Sequence, residues 1–149
     1  MSEVVLALDV GQARIGVARA ELDASFAFGR GYVTREKQKI DVAAIQTLMK
    51  AEGATLLVVG LPQRTDGKDS PQANRVRSFA RALQNAGMRV EFEDERFSTR
   101  IATKGILKSG AGKKDRQDKG RVDEASAIVI LESYLERKRS SQTSAESPG

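Results

Sequence analysis

The stretch "VVLALDVGQARIGVARA", residues 4–20, constrains the fold more than any other part of the chain. Two mostly apolar runs flank a short turn at Gly11, which leaves no room for a crossover helix between them. Residues 4–8 read as a buried strand and residues 14–20 as its neighbour. The first run leads straight into Asp9, a carboxylate that is costly to bury without a partner.

"SFAFGRGYVT", residues 25–34, alternates well enough for a third strand and completes a meander. Val42, Ile45, Leu48 and Met49 then share one helical face, and Gly53 stops that helix. "TLLVVG" is a short, fully apolar strand of the kind found inside parallel sheets. In the helix that follows, Ser70 caps, Pro71 fits the first turn, and Val76, Phe79, Ala80 and Leu83 form the stripe. A strand through Val90 and Phe92 breaks at the acidic cluster "EDE". Ser98 or Thr99 starts a helix expected to end near Ser109, and the last helix is expected over 122–138. This order predicts an α/β fold: a central mixed five-stranded sheet, an antiparallel meander followed by βαβ crossovers, with helices on both faces. Residues 1–138 are expected to form one domain. Residues 139–149 are expected to be a disordered polar tail.

Two absences narrow the chemistry. The 149 residues include no cysteine and no histidine. Thiolate nucleophiles, Cys-based zinc sites and histidine-based triads are therefore excluded. Any metal must be held by oxygen, which favours Mg²⁺ or Mn²⁺. The aromatic content of 5% predicts an aliphatic core. No apolar run reaches the ~20 residues of a membrane span. The N-terminus lacks the pattern of a signal peptide, so a cytoplasmic protein with no membrane partner is expected.

The net charge of +5 is concentrated between residues 104 and 121, which carry seven basic and two acidic residues. A glycine-spaced basic segment of this kind suits a polyanion, most directly nucleic acid. Its core, residues 110–121, has almost no apolar anchor and is expected to be poorly ordered before a partner arrives. "GAGKKD" is not a phosphate-binding P-loop, because Leu107 and Lys114 occupy positions that motif reserves for Gly and Ser/Thr.

Asp9, the Asp94/Glu95 pair and Asp123 lie at strand ends or near a helix start, where α/β folds build their sites. Each alone could cap a turn or complement a helix dipole. Brought together they would repel, and a divalent cation removes that penalty. The pattern points to a metal site, with either Asp94 or Glu95 as the middle carboxylate.

"LALDVGQARIGVA", "VVGLPQRTDGKDSP", "EDERFSTRIA" and "GRVDEASAIVILESYL" resemble, in order and spacing, the signature blocks of the YqgF or RuvX family. The resemblance spans residues 4 to about 136. It implies an RNase H-like fold and a metal-dependent nuclease acting on structured nucleic acid. Processing of the 5′ end of precursor 16S rRNA is the first expectation. Resolution of Holliday junctions, which needs a homodimer to cut two strands, is the alternative, and a non-catalytic RNA-binding module is a third. The family's acidic positions fall on Asp9, Glu95 and Asp123, with Asp94 as runner-up. Gly60, Leu61, Pro62 and Gly67 of the second block are expected to shape the rim of the site. The mechanism implied is metal-assisted hydrolysis, with Arg14, Arg96, Lys113, Lys114, Arg116 and Lys119 neutralising the phosphate backbone.

Overall fold

The computed structural model describes residues 3–62, 70–94 and 116–146. Five strands and three helices are seen there: β1 (Val4–Val10), β2 (Arg14–Glu21), β3 (Phe28–Thr34), α1 (Gln38–Glu52), β4 (Ala54–Leu61), α2 (Pro71–Asn85), β5 (Val90–Asp94) and α3 (Arg116–Glu146). They form one sheet in the order β3-β2-β1-β4-β5. The β1–β2 and β2–β3 pairs are antiparallel, and β1–β4 and β4–β5 are parallel. The expected mixed sheet, with a meander first and crossovers after, is what the chain adopts.

Period-two alternation gives the sheet two unlike faces. Leu6, Leu8, Val10, Ile15, Val17, Leu57, Val59 and Leu61 pack under α1 and α2, against Ile45, Met49, Val76, Phe79 and Leu83. The opposite face carries smaller residues. Val5, Ala7, Ala18, Ala20, Leu56 and Val58 meet Ala127, Ile130, Leu131, Tyr134 and Leu135 of α3. Helices thus cover both faces, and the core is aliphatic apart from Phe79 and Tyr134.

The helix ends follow their residues. Ser70 accepts a hydrogen bond from the Ala73 N–H, and Pro71 opens α2. Gly53 closes α1 in the left-handed region at φ +69°. A buried polar cluster fixes the turn after β1. Asp41 is fully buried and accepts from Arg35 Nε at 2.8 Å and from the Glu36 N–H at 2.9 Å. Arg35 Nη1 donates to the Gly11 carbonyl at 2.9 Å, and its guanidinium lies 5.0 Å from the Phe79 ring centre.

Three expectations need correction. β1 continues through Asp9 to Val10, because Asp9 pairs with Gly16 and Val10 with Ile15, so Asp9 lies within the strand rather than at its end. β3 begins at Phe28, not at residue 25. The last helix covers Arg116–Glu146 instead of 122–138. Residues 116–121 of the basic segment are therefore helical, and so are residues 139–146 of the expected tail. Two contacts favour the longer helix: Gly120 lies against the Tyr32 ring, and Arg139 Nη1 donates to the Ala24 carbonyl at 3.1 Å. The expected 98–109 helix, residues 110–115 and Gly67 lie outside the described residues.

Helix α3 comes very close to the sheet at Gly16. A Cβ built there would overlap the backbone carbonyl of Asp123. A backbone cannot step aside as the end of a side chain can. Gly16→Ala should therefore cost at least the ~1–3 kcal/mol typical of an overpacked core. Urea unfolding measures this, and wild-type stability in the variant would contradict the contact.

Candidate active site

Asp9 and Asp123 both neighbour Gly16, by different routes. Asp9 follows Val5 and Ala7 in the alternation of β1, so it belongs to the α3 face. Its register partner is Gly16, and Gly16 is the residue on which the Asp123 backbone rests. One glycine thus has Asp9 as its strand partner and the Asp123 backbone above it.

The neighbours of Asp123 fix α3 in rotation. Glu124 Oε2 accepts from the Gly31 N–H at 2.5 Å, and its carboxylate fills the space above Gly29. Gly31, at φ +76°, sits where the β2–β3 register slips opposite Val17, a bulge that offers its N–H to the helix. One turn pair further along, Glu132 Oε2 accepts from the Ala27 N–H at 3.0 Å. Consecutive acids therefore do different work: Glu124 holds the edge strand, and Asp123 is left at the site.

Asp123 is not without a counter-charge. Arg14 Nε donates to its Oδ2 at 2.8 Å, with the two side chains 20% and 23% exposed. Arg14 opens β2 two residues before Gly16, so it lies on the same face. Its own carbonyl accepts from the Gly11 N–H at 2.9 Å, closing the turn after Asp9.

The other sequence-predicted residues divide clearly. Asp94 pairs in register with Leu61, so it stands on the α1/α2 face, away from Asp9 and Asp123. Glu95, Arg96, Lys113 and Lys114 lie outside the described residues. Arg116 and Lys119 fall in the first two turns of α3. Among the described residues no three acidic groups stand close enough to hold an ion. Asp9 and Asp123, both neighbours of Gly16 in a chain without Cys or His, offer oxygen donors of the kind that suit a hard cation such as Mg²⁺ or Mn²⁺.

Comparison with known proteins gives the family and the fold. The sequence profile of the RuvX family, described as Holliday junction resolvase, matches residues 3–137. The chain belongs to the RuvX family. A Thermus thermophilus protein named "Putative pre-16S rRNA nuclease" is 47% identical over 131 residues, covering 88% of this chain and 96% of that one. "Ribonuclease YqgF" of Deinococcus radiodurans is 45% identical over 133 residues, covering 89% and 88%. The fold is that of T. thermophilus RuvC solved with a Holliday junction substrate, at a TM-score of 0.56 and 16% identity over 92% of this chain and 96% of that one. The yeast mitochondrial Holliday junction resolvase shares it at a TM-score of 0.51 and 10% identity, over 93% and 82%. No helix among the described residues of this RuvX chain is long and apolar enough to cross a membrane.

Sequence reading missed one carboxylate. Glu93 is fully buried on β5, under α3, beside the acidic pair that drew attention. Its Oε2 accepts from the Ser133 hydroxyl at 2.7 Å. Arg137 Nε lies 3.1 Å from Oε1 but is not aligned to donate, so Oε1 has no hydrogen bond. A five-residue strand with two adjacent acids gave no signal as to which one faced inward. Burial raises the Glu93 pKa above its ordinary 4.5, the Ser133 hydrogen bond and Arg137 pull it back, and Asp94 pushes it up.

The sign of the resulting pH dependence follows. With a raised folded-state pKa, the folded chain holds the Glu93 proton to higher pH than the unfolded chain does. This group's contribution is most favourable below about pH 4.5 and declines as pH rises through the folded-state value. Gln does not titrate and still accepts from Ser133. Glu93→Gln should thus gain stability relative to wild type between pH 4.5 and pH 8 in urea titrations. A relative loss over that range would contradict the burial argument.

Proposed function

We propose that this RuvX chain is a divalent-metal-dependent nuclease that hydrolyses phosphodiester bonds of structured nucleic acid. The observation that supports the reading is that Asp9 and the Asp123 backbone both neighbour Gly16, with Arg14 paired to Asp123. Asp9, Asp123 and Glu95 would hold one or two Mg²⁺ or Mn²⁺ ions. Asp94 stands on the other face of the sheet, which favours Glu95 as the third ligand. When bound, the ion supplies Lewis acidity, making water nucleophilic at neutral pH and neutralising charge that develops at phosphate.

The chain's own residues account for the rest. Asp9, held in a hydrogen-bonded strand, and Asp123, held by the α3 contact, are positioned without rotating a loop. Basic residues at the start of α3 and before it, including Lys113, Lys114, Arg116 and Lys119, would neutralise the substrate backbone and set its register. Arg96 and Arg14 would do so closer to the site.

The names of the relatives at 47% and 45% identity favour RNA, and precursor 16S rRNA in particular. We place the reaction at the 5′ end of that RNA and in the cytoplasm. The family's description and the RuvC-like fold favour branched DNA as the alternative, with a homodimer acting on both strands. One assay separates them. The protein is incubated with a 5′-extended 16S rRNA fragment or a four-way DNA junction, under Mg²⁺, Mn²⁺ or chelator. Cleavage of the RNA is expected with either metal and not with chelator. Asp9→Asn and Asp123→Asn should each remain folded and lose at least the ~10–100-fold that outer-shell changes at metal sites cost. Cleavage of the junction alone would move the assignment to the resolvase. Binding of either substrate without cleavage in any condition would contradict the nuclease reading.

A further inference from the structure

We propose that Arg14 is a positioning residue that couples metal and nucleic-acid binding, by pairing with Asp123 in the metal-free protein and with a substrate phosphate once an ion is bound. This inference rests on the reading of Asp9 and Asp123 as metal ligands.

The geometry supports an exchange. The Arg14 backbone is fixed, with its carbonyl tied to Gly11 and its place in register opposite Thr34. Only the side chain is at liberty to move. Its ion pair is a one-nitrogen, one-oxygen contact at 2.8 Å, with a fifth of each side chain open to solvent. Such a pair lacks the two parallel bonds that make Arg–carboxylate forks strong, and water screens it. Without metal, Arg14 supplies the counter-charge at Asp123. With a divalent ion on the carboxylates, that charge is in excess. A planar guanidinium at the rim of the site is then suited to a phosphate oxygen. Linkage makes the effect reciprocal: substrate that draws Arg14 away from Asp123 must tighten metal binding by the same factor.

The test is calorimetric titration of Ca²⁺, a hard-cation probe, into the full chain, alone and saturated with the 5′-extended 16S rRNA fragment or, in parallel, a phosphorothioate four-way junction. Wild type should bind Ca²⁺ at least about fivefold tighter in the presence of whichever nucleic acid it binds. Arg14→Gln should bind Ca²⁺ more tightly than wild type in the free state and lose the nucleic acid's effect. Arg14→Lys, which keeps the charge but not the fork, should retain part of it. Arg30→Gln removes a cation paired with Glu52 on the other face and should leave the coupling unchanged, which separates exchange from net charge. Undiminished coupling in Arg14→Gln, or none in wild type, overturns the inference. Asp9→Asn that binds Ca²⁺ as wild type does would instead overturn the metal-site reading itself.

Discussion

The backbone contact between Gly16 and Asp123 is the constraint on which the site depends. Helix α3 can lie this close only because the sheet face beneath it is built from Ala7, Gly16, Ala18, Ala20 and Gly29. The opposite face, with Leu, Ile and Val at the alternate positions, keeps α1 and α2 at ordinary side-chain distance. The small face gives up apolar burial, which costs stability in proportion to area. It gains a helix backbone seated on the strand next to Asp9. Function and packing therefore meet in one residue with no side chain.

Holding α3 in place is a polar task as well as an apolar one. Glu124 and Glu132 anchor it to the N–H groups of Gly31 and Ala27, on or beside the edge strand β3. At the far end, Ser133 and Tyr134 reach β5, where the Tyr134 hydroxyl donates to Glu91 Oε1 at 2.9 Å. Those contacts span the sheet from β3 to β5. Asp123 is set by the whole helix, so substitutions far from it at the β5 end will be felt at the site.

Much of this was legible in the residues. The strands, the α1 and α2 stripes, the Ser70–Pro71 start and the Gly53 stop all follow from local rules that packing did not override. The placing of Asp123 on the Asp9 side of the sheet follows from the helical face it shares with Ala127, Ile130 and Tyr134, and the lack of Cys and His donors from composition. The alternation of large and small residues in "LALDV" and "RIGVARA" also marks which face receives a close helix. Other features were not legible. The length of α3 depends on Gly120 meeting Tyr32 and on Arg139 meeting Ala24, contacts between residues remote in sequence. The partner of Arg14 depends on the same distant docking. Nothing in the local pattern distinguishes an arginine aimed at phosphate from one aimed at Asp123.

The central claim is that Asp9 and Asp123 form one metal site because Gly16 brings them together. Diffraction from crystals soaked in Mn²⁺, recorded near the manganese absorption edge, tests it directly. The account predicts an anomalous peak bridging the two carboxylates at coordination distance, about 2.1 Å for a hard octahedral ion. A fully soaked crystal with no peak there, or with manganese only at other carboxylates, would contradict it.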